Sequence, residues 1–370
     1  FIRLYELGIR PVFVFDGSHR PGYKRNKFIN TTPIDNEFRR QLIQLIQLFQ
    51  FSQWHAYGEA EAECAMLQRL GFVDLVFTGD NDVFLFGAQR VVRQWPSKRN
   101  EAVSCYDMRW ISDTVGLDRS DLILMALLRG SDYDTKGTKG IGIQVATQLA
   151  KCRFHRGLMD DIQLTGRHVS LDEERVQHLY DDLTYELQHN NTKNLTKRHT
   201  GVVLDPTFPD FSIVTDFIHP LTNICRPESK LKAQRLASCL DHHQEPNWTE
   251  LAHFIQHTFK WPAEYVLKRF SSLLFPAFMK NKISQQYHER YRPTPRVQPT
   301  TQPRLEDYYR PTSRLFRDRQ PRIVHITHKK QALCRVEWHK SCWEQFLSLL
   351  KPKLDYELYQ QETNVLDQEL

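Results

Sequence analysis

The sequence predicts an α/β fold, a mostly parallel sheet flanked by helices, with a small second module near the carboxyl end. Three observations carry this reading. Short β-rich runs, RPVFVFDG, FVDLVFTGDND and RVVRQW, alternate with helical patterns in the first part of the chain. The first two of these runs lead straight into aspartates, Asp16 and then Asp80 and Asp82. Finally, the Pro/Arg-rich stretch YHERYRPTPRVQPTTQPRLEDYYRPTSRLFRDRQPR breaks the composition before a further β-rich pair.

Taken in order, PVFVF is an apolar strand ending at Asp16. FRRQLIQLIQLFQ sets Phe38, Leu42, Leu45, Ile46 and Phe49 on one helical face, widened by Ile43 and Leu48, as expected of a helix laid on a sheet. GEAEAECAML opens a helix with Glu59 and Glu61, while Glu63 is expected on the solvated side of its first turn. DLILMALLRG follows the candidate caps Asp118 and Ser120 and is apolar nearly all round, which predicts a buried helix carrying Asp132 to the edge of the core. From about Pro206 to Lys282 the pattern is helical and aromatic-rich. The expected division is a core over 1–283, a linker over 284–313 and a module over 314–370, in which RIVHITHKKQALCRVEWHKS gives two strands and CWEQFLSLLK a helix.

Composition narrows the class. A chain of 370 residues, 40% hydrophobic and 25% charged, can bury a sizeable core in more than one domain. No apolar run is long enough to span a bilayer, and FIRLYELGIRPVFVFDG lacks the basic-then-apolar layout of a signal peptide. The seven cysteines are scattered without a CxxC pair, as expected of reduced thiols inside the cell. Lys plus Arg is 50 against 44 for Asp plus Glu, a net +6 that hints weakly at a polyanionic partner.

Two constellations carry chemistry. Asp16, Glu59, Glu61, Asp80, Asp82 and Asp132 fall where strand ends and helix starts meet, the crevice in which α/β sheets collect ligands. So many carboxylates cannot all stay ionised together without a counter-charge, and oxygen-only donors favour Mg²⁺ or Mn²⁺. Two such ions would activate water and stabilise the leaving oxygen of a phosphodiester. Singly, each acid also reads as helix-start or turn chemistry. The second constellation is GTKGIGIQVATQLAK, where Gly140 and Gly142 permit a tight turn that frees backbone N–H groups at a helix start. Lys136 and Lys139 add positive charge there, and the competing reading is an ordinary Gly-rich turn between helices.

The order VFVFDG, GEAEAEC, TGDNDVFLFG, RGSDYD and KGIG resembles the flap endonuclease and xeroderma-pigmentosum-G-like superfamily of structure-specific nucleases. Within it, GEAEAECAML, FLFGAQRVVR and FKWPAEYVLKRFSSLLFP are similar to the eukaryotic Holliday-junction resolvases of the GEN/Yen class, and RIVHITHKKQALCRVEWHK resembles a chromodomain. The resemblance implies a PIN-like nuclease core in which those six acids hold two Mg²⁺ ions. The segment from Gly137 through the following helix would then be a helix-two-turn-helix element gripping duplex DNA, with K⁺ bound. It implies hydrolysis by metal-activated water leaving a 5′-phosphate, on branched DNA and above all four-way junctions, in nuclear recombination and repair. The protein would be a dimer on the junction and a monomer when free. A 5′-flap endonuclease of the same superfamily and a catalytically silent junction binder are the alternatives.

The family pattern begins at a Gly after the initiator Met and places a further metal-binding Asp on the first strand. The sequence starts downstream of both, at FIRLYELG, so either it is a truncated piece or residues are left out of it. The span from Asp16 to Glu59 is short for the family's helical arch, which implies omitted loops. Lys24, Arg25 and Lys27 of YKRNKF are the basic residues kept there for DNA.

Overall fold

A computed structural model describes residues 1–20, 23–24, 27–28, 36–95, 102–165, 173–223, 244–290, 322–329 and 331–360. The chain divides into two compact units, one of residues 13–36 and 53–242, the other of 1–12, 37–52 and 243–370. Each has its own apolar core.

In the first unit the helix Arg119–Arg129 is central, because Ile123, Leu124, Leu127 and Leu128 are all buried. Its start is as expected. Asp118 accepts from the Asp121 backbone N–H and Asp121 reciprocates at the Asp118 N–H, a capping box. The helix ends at Gly130, and the chain turns back through Gly137, where φ is +52°. A Cβ on Gly137 would lie 2.4 Å from the Arg129 carbonyl carbon, so only glycine fits the turn. The next helix, Ile143–Cys152, buries Ala146, Leu149 and Ala150 in the same cluster.

The expected mostly parallel sheet needs correction. Among the described residues the strands form separate short sheets: Val12–Phe15 with Ser52–His55, and Val76–Phe77, Arg90–Val92 and Cys105–Asp107 in a three-stranded sheet. The latter is mixed, parallel in its first pairing and antiparallel in its second. Its strands are short because FVDLVFTGDND spends most of its length on turns, with only Val76 of the strand buried. The class is α/β, but the helices rather than a broad sheet supply most of the core.

In the second unit Trp248 anchors the packing, with its ring edge-on to Tyr5, Phe278 and Phe346. The helices Trp248–Phe259, Ala263–Leu273 and Phe275–Arg290 bear the aromatic residues foreseen for this region. The helix Lys340–Leu350 does not stand apart in a separate module. Phe346 and Leu350 are fully buried in the Trp248 cluster, the Thr249 hydroxyl donates to the Leu349 carbonyl at 2.6 Å, and Gln256 exchanges two hydrogen bonds with the Asp355 backbone. An amphipathic helix needs a partner surface, and here the 248–279 core supplies one. That hairpin, Arg322–Lys329 with Gln331–Glu337, is antiparallel as expected. Of the linker expected over 284–313, residues 284–290 instead continue the helix Phe275–Arg290, and 291–313 lie outside the described residues. The helix Glu37–Leu48 forms as predicted, although Phe38, placed on its core face, is 73% exposed in the first turn.

Candidate functional site

The strand Val12–Phe15 delivers Asp16 to the start of the helix Ala60–Arg69. Its continuation is zipped to the segment before that helix: Gly17 N–H donates to the Gly58 carbonyl at 2.8 Å and His19 N–H to the Tyr57 carbonyl at 3.1 Å. A Cβ on Gly17 would sit 2.2 Å from the Ala56 carbonyl oxygen, so this close approach demands glycine. The consequence is an unusual cap. Glu59 occupies the N-cap position yet makes no capping bond, while Asp16 Oδ1 accepts from Ala60 N–H at 2.9 Å. The Glu59 carboxylate is thereby left for another use, and the Arg20 guanidinium holds the other oxygen of Asp16 at 3.0 Å.

The remaining acids surround this start. Asp80 and Asp82 share one turn, in which the Thr78 hydroxyl accepts from Asp80 N–H and Asp80 Oδ1 from Asp82 N–H at 2.9 Å. Arg93 braces the turn through the Gly79 carbonyl. Glu61 is half-buried, and burial raises its carboxyl above the usual range, reinforced by the charges of Asp16, Asp80 and Glu59. Asp132 is half-buried in the turn after Gly130, next to Tyr133. The phenol of Tyr133 donates to Glu59 Oε2, and its ring stands edge-on to Phe217 at 5.1 Å. Burial, then the Glu59 charge, pushes that phenol far above its ordinary range, with Asp82 contributing.

Glu61 thus senses Asp16, Asp80 and Glu59, and Tyr133 senses Glu59 and Asp82, so five of the six predicted acids share one electrostatic neighbourhood. Asp132 adjoins it through the chain. Among the described residues no three His, Cys, Asp or Glu side chains converge closely enough to hold a metal ion. The donor chemistry nevertheless fits a hard divalent cation: the donors are carboxylate oxygens alone, and the anionic form of one of them, Glu61, is disfavoured by burial and by three neighbouring carboxylates.

Glu63 departs from expectation. It is completely buried, not solvated, with Oε1 accepting from Trp54 Nε1 at 2.8 Å and Asn223 Nδ2 at 2.9 Å, and Oε2 from Asn223 N–H at 3.0 Å and Tyr57 N–H at 3.4 Å. Two helix residues beyond Glu61, it ties the helix to the strand Ser52–His55 and to the chain at Asn223. Tyr133 and Asn223 are site-supporting residues that sequence reasoning did not single out, and Glu63 is one that it placed on the solvated side.

Of the predicted DNA contacts, Lys136, Lys139, Gly140 and Gly142 are gathered at the start of the helix Ile143–Cys152, with Lys136, Lys139, Gly140 and Gly142 exposed. Gly140 has φ +92°, and Gly142 is the N-cap. Lys24 and Lys27 face each other in register across the antiparallel pair Tyr23–Lys24 and Lys27–Phe28, their side chains outside the described residues, as is Arg25 altogether.

Residues 50–132, which hold five of the six acids, match the XPG I-region family. Flap endonuclease GEN-like 1 of Arabidopsis thaliana is 34% identical over 168 residues, covering 40% of this chain and 28% of that protein. Holliday junction resolvase YEN1 of Saccharomyces cerevisiae is 24% identical over 318 residues, covering 68% of this chain and 42% of that protein. The chain therefore spans less than half the length of either relative. The solved structure of the Holliday junction-resolving enzyme GEN1 with product DNA and Mg²⁺ superposes with a TM-score of 0.59 at 29% identity, covering 75% of this chain and 62% of that one. With its acids so arranged and these likenesses in both sequence and fold, the chain is similar to the XPG I-region family over residues 50–132 and resembles the GEN-class nucleases of the flap endonuclease and XPG-like superfamily.

Proposed function

We propose that the protein is a structure-specific endonuclease that resolves four-way DNA junctions in recombination and repair. The observation that carries this is the Glu61 neighbourhood: burial, and the charges of Asp16, Glu59 and Asp80 from three chain segments, oppose the charge of a half-buried acid. A site of that kind is a poor place for any anion without divalent metal, and fits the Mg²⁺ bound by the GEN1 relative.

In this reading Asp16, Glu59, Glu61, Asp80, Asp82 and Asp132 hold two Mg²⁺ ions, for which Mn²⁺ can substitute. Metal held there would supply an acidified water and charge to offset the phosphodiester, for hydrolysis that leaves a 5′-phosphate. The chain's own part is positioning. Arg20 and Ala60 N–H fix the Asp16 carboxylate, Tyr133 orients Glu59, and the Thr78–Asp82 turn sets Asp80 and Asp82. The two helices around Gly137–Gly142 act as a helix-two-turn-helix grip on duplex phosphate, with Lys136 and Lys139 beside a helix start and K⁺ at the turn, a reading supported by a GEN-1 relative solved with potassium. A dimer on the junction, monomer when free, would pair the two cuts. The chromodomain-like hairpin Arg322–Lys329 with Gln331–Glu337 would help position DNA in the nucleus. A 5′-flap activity is the second reading, favoured by relatives named flap endonucleases.

Cleavage of flap, fork and four-way substrates in Mg²⁺ tests the assignment. Paired nicks in the four-way junction, ligatable because they carry 5′-phosphates, support it. Cleavage of flaps alone transfers the assignment to the second reading, and a protein that binds all three but cuts none is a silent junction binder.

A further inference from the structure

The loop after the helix Glu173–His189 packs along the helix Ile143–Cys152, and among the described residues three of its cations form no ion pair. It runs antiparallel along the helix Ile143–Cys152 and is fastened at three levels. Near the helix end the Cys152 thiol meets the Thr192 hydroxyl at 3.3 Å. In the middle, Gln148 Nε2 donates to the Thr196 hydroxyl at 2.9 Å and Thr196 N–H donates back to Gln148 Oε1. At the helix start Val202 lies so close to Gly140 that a Cβ there would be 3.0 Å from its methyl.

Internal bracing makes the loop stiff. Glu186, buried, accepts from both the N–H and the hydroxyl of Thr192. Asn190 exchanges two hydrogen bonds with the Leu195 backbone, and Leu195 is itself buried. Asn190 and Lys193 hold positive φ, which such fixed bonding sustains. Lys193, Lys197 and Arg198 are all exposed, and among the described residues none of their side chains makes an ion pair or hydrogen bond. Exposed Lys136, Lys139 and Lys151 flank the same helix. Among the described residues only Lys136 of these has a charged acid acting with it, Asp205; the remaining cations on this braced surface repel one another, and a polyanion relieves that repulsion.

We propose that this loop is a second phosphate-binding edge of the duplex grip, in which Lys193, Lys197 and Arg198 contact the DNA backbone beside the contacts made at the Gly140 helix start. The proposal rests on the DNA-binding reading of that helix. Its partner is double-stranded DNA recognised by charge, because a fixed row of cations fits an evenly charged backbone and offers no base-reading chemistry.

The test is binding of the full chain to a fluorescent linear duplex and to a four-way junction, without divalent metal, over a range of salt. The triple variant K193A/K197A/R198A should bind both more weakly, with the slope of log affinity against log salt shallower by about 2–3, since each phosphate contact contributes roughly 0.9. Its melting temperature should match the parent because the three side chains are exposed. An unchanged slope overturns the proposal. The pair K136A/K139A separates the two levels. If it flattens the slope while the triple variant does not, the loop edge fails and the helix grip stands; if neither flattens it, both fail.

Discussion

Replacing Glu63 with glutamine should unfold the first unit far more easily than replacing Glu61, two residues away. The side chain keeps its shape, but an amide has one acceptor oxygen and one donor group where the carboxylate has two acceptors. Oriented best, the amide oxygen keeps Trp54 Nε1 and Asn223 Nδ2, and the NH₂ then faces the N–H groups of Asn223 and Tyr57. Two bonds to a charged acceptor are lost inside a dry site, one of them already long at 3.4 Å, so about 2–4 kcal/mol of stability is expected to disappear. Glu61→Gln should be neutral or slightly stabilising in metal-free protein, because it removes a charge that burial and three neighbouring carboxylates already oppose. Urea unfolding with a single slope for all three proteins gives the comparison directly. A loss below about 1 kcal/mol for Glu63→Gln would refute the reasoning that this acid is a structural staple.

Glu61 also predicts a pH signature: its folded carboxyl is raised above the ordinary 4.5, so the folded state holds its proton longer than the unfolded chain. Stability of the metal-free protein should therefore fall as pH rises from about 4.5 through the raised value, a slope that Glu61→Gln abolishes in pH-dependent denaturation. Gly137→Ala should cost more than about 1–3 kcal/mol, since its Cβ meets the Arg129 carbonyl carbon at 2.4 Å and φ is +52°. Gly142→Ala, with open space around it, should leave the melting temperature alone, so any lost duplex affinity reports a phosphate contact. Phe346→Ala should destabilise the second unit by about 3–5 kcal/mol in calorimetry, because the ring is fully buried against Trp248 and Phe278.

Local patterns made much of this architecture legible. The capped apolar run at Asp118–Arg129 forms because short-range signals and burial agree, and the strand ending at Asp16 and the hairpin of 322–337 follow short-range signals. Long-range partners were not legible. Glu63 reads like any first-turn acid until Trp54 and Asn223 close over it, and Asn223 lies 160 residues away. Tyr133 sits between two acids in SDYD, and nothing in that tetrapeptide reveals that its phenol reaches Glu59, 74 residues earlier. The helix Lys340–Leu350 shows an apolar face, but sequence cannot say which surface it covers. The basic row in NNTKNLTKRHT looks like an ordinary solvated loop until Gln148 and Cys152 are seen to hold it.

The central claim is that the acids around Glu61 cut branched DNA with divalent metal. The most direct measurement compares the parent protein with Asp80→Asn and Glu59→Gln on a four-way junction in Mg²⁺, reading cleavage and affinity in parallel. The account predicts paired incision by the parent and none by either variant, with both variants binding the junction nearly as well because the basic surface is untouched. Near-normal cleavage by both variants would contradict it.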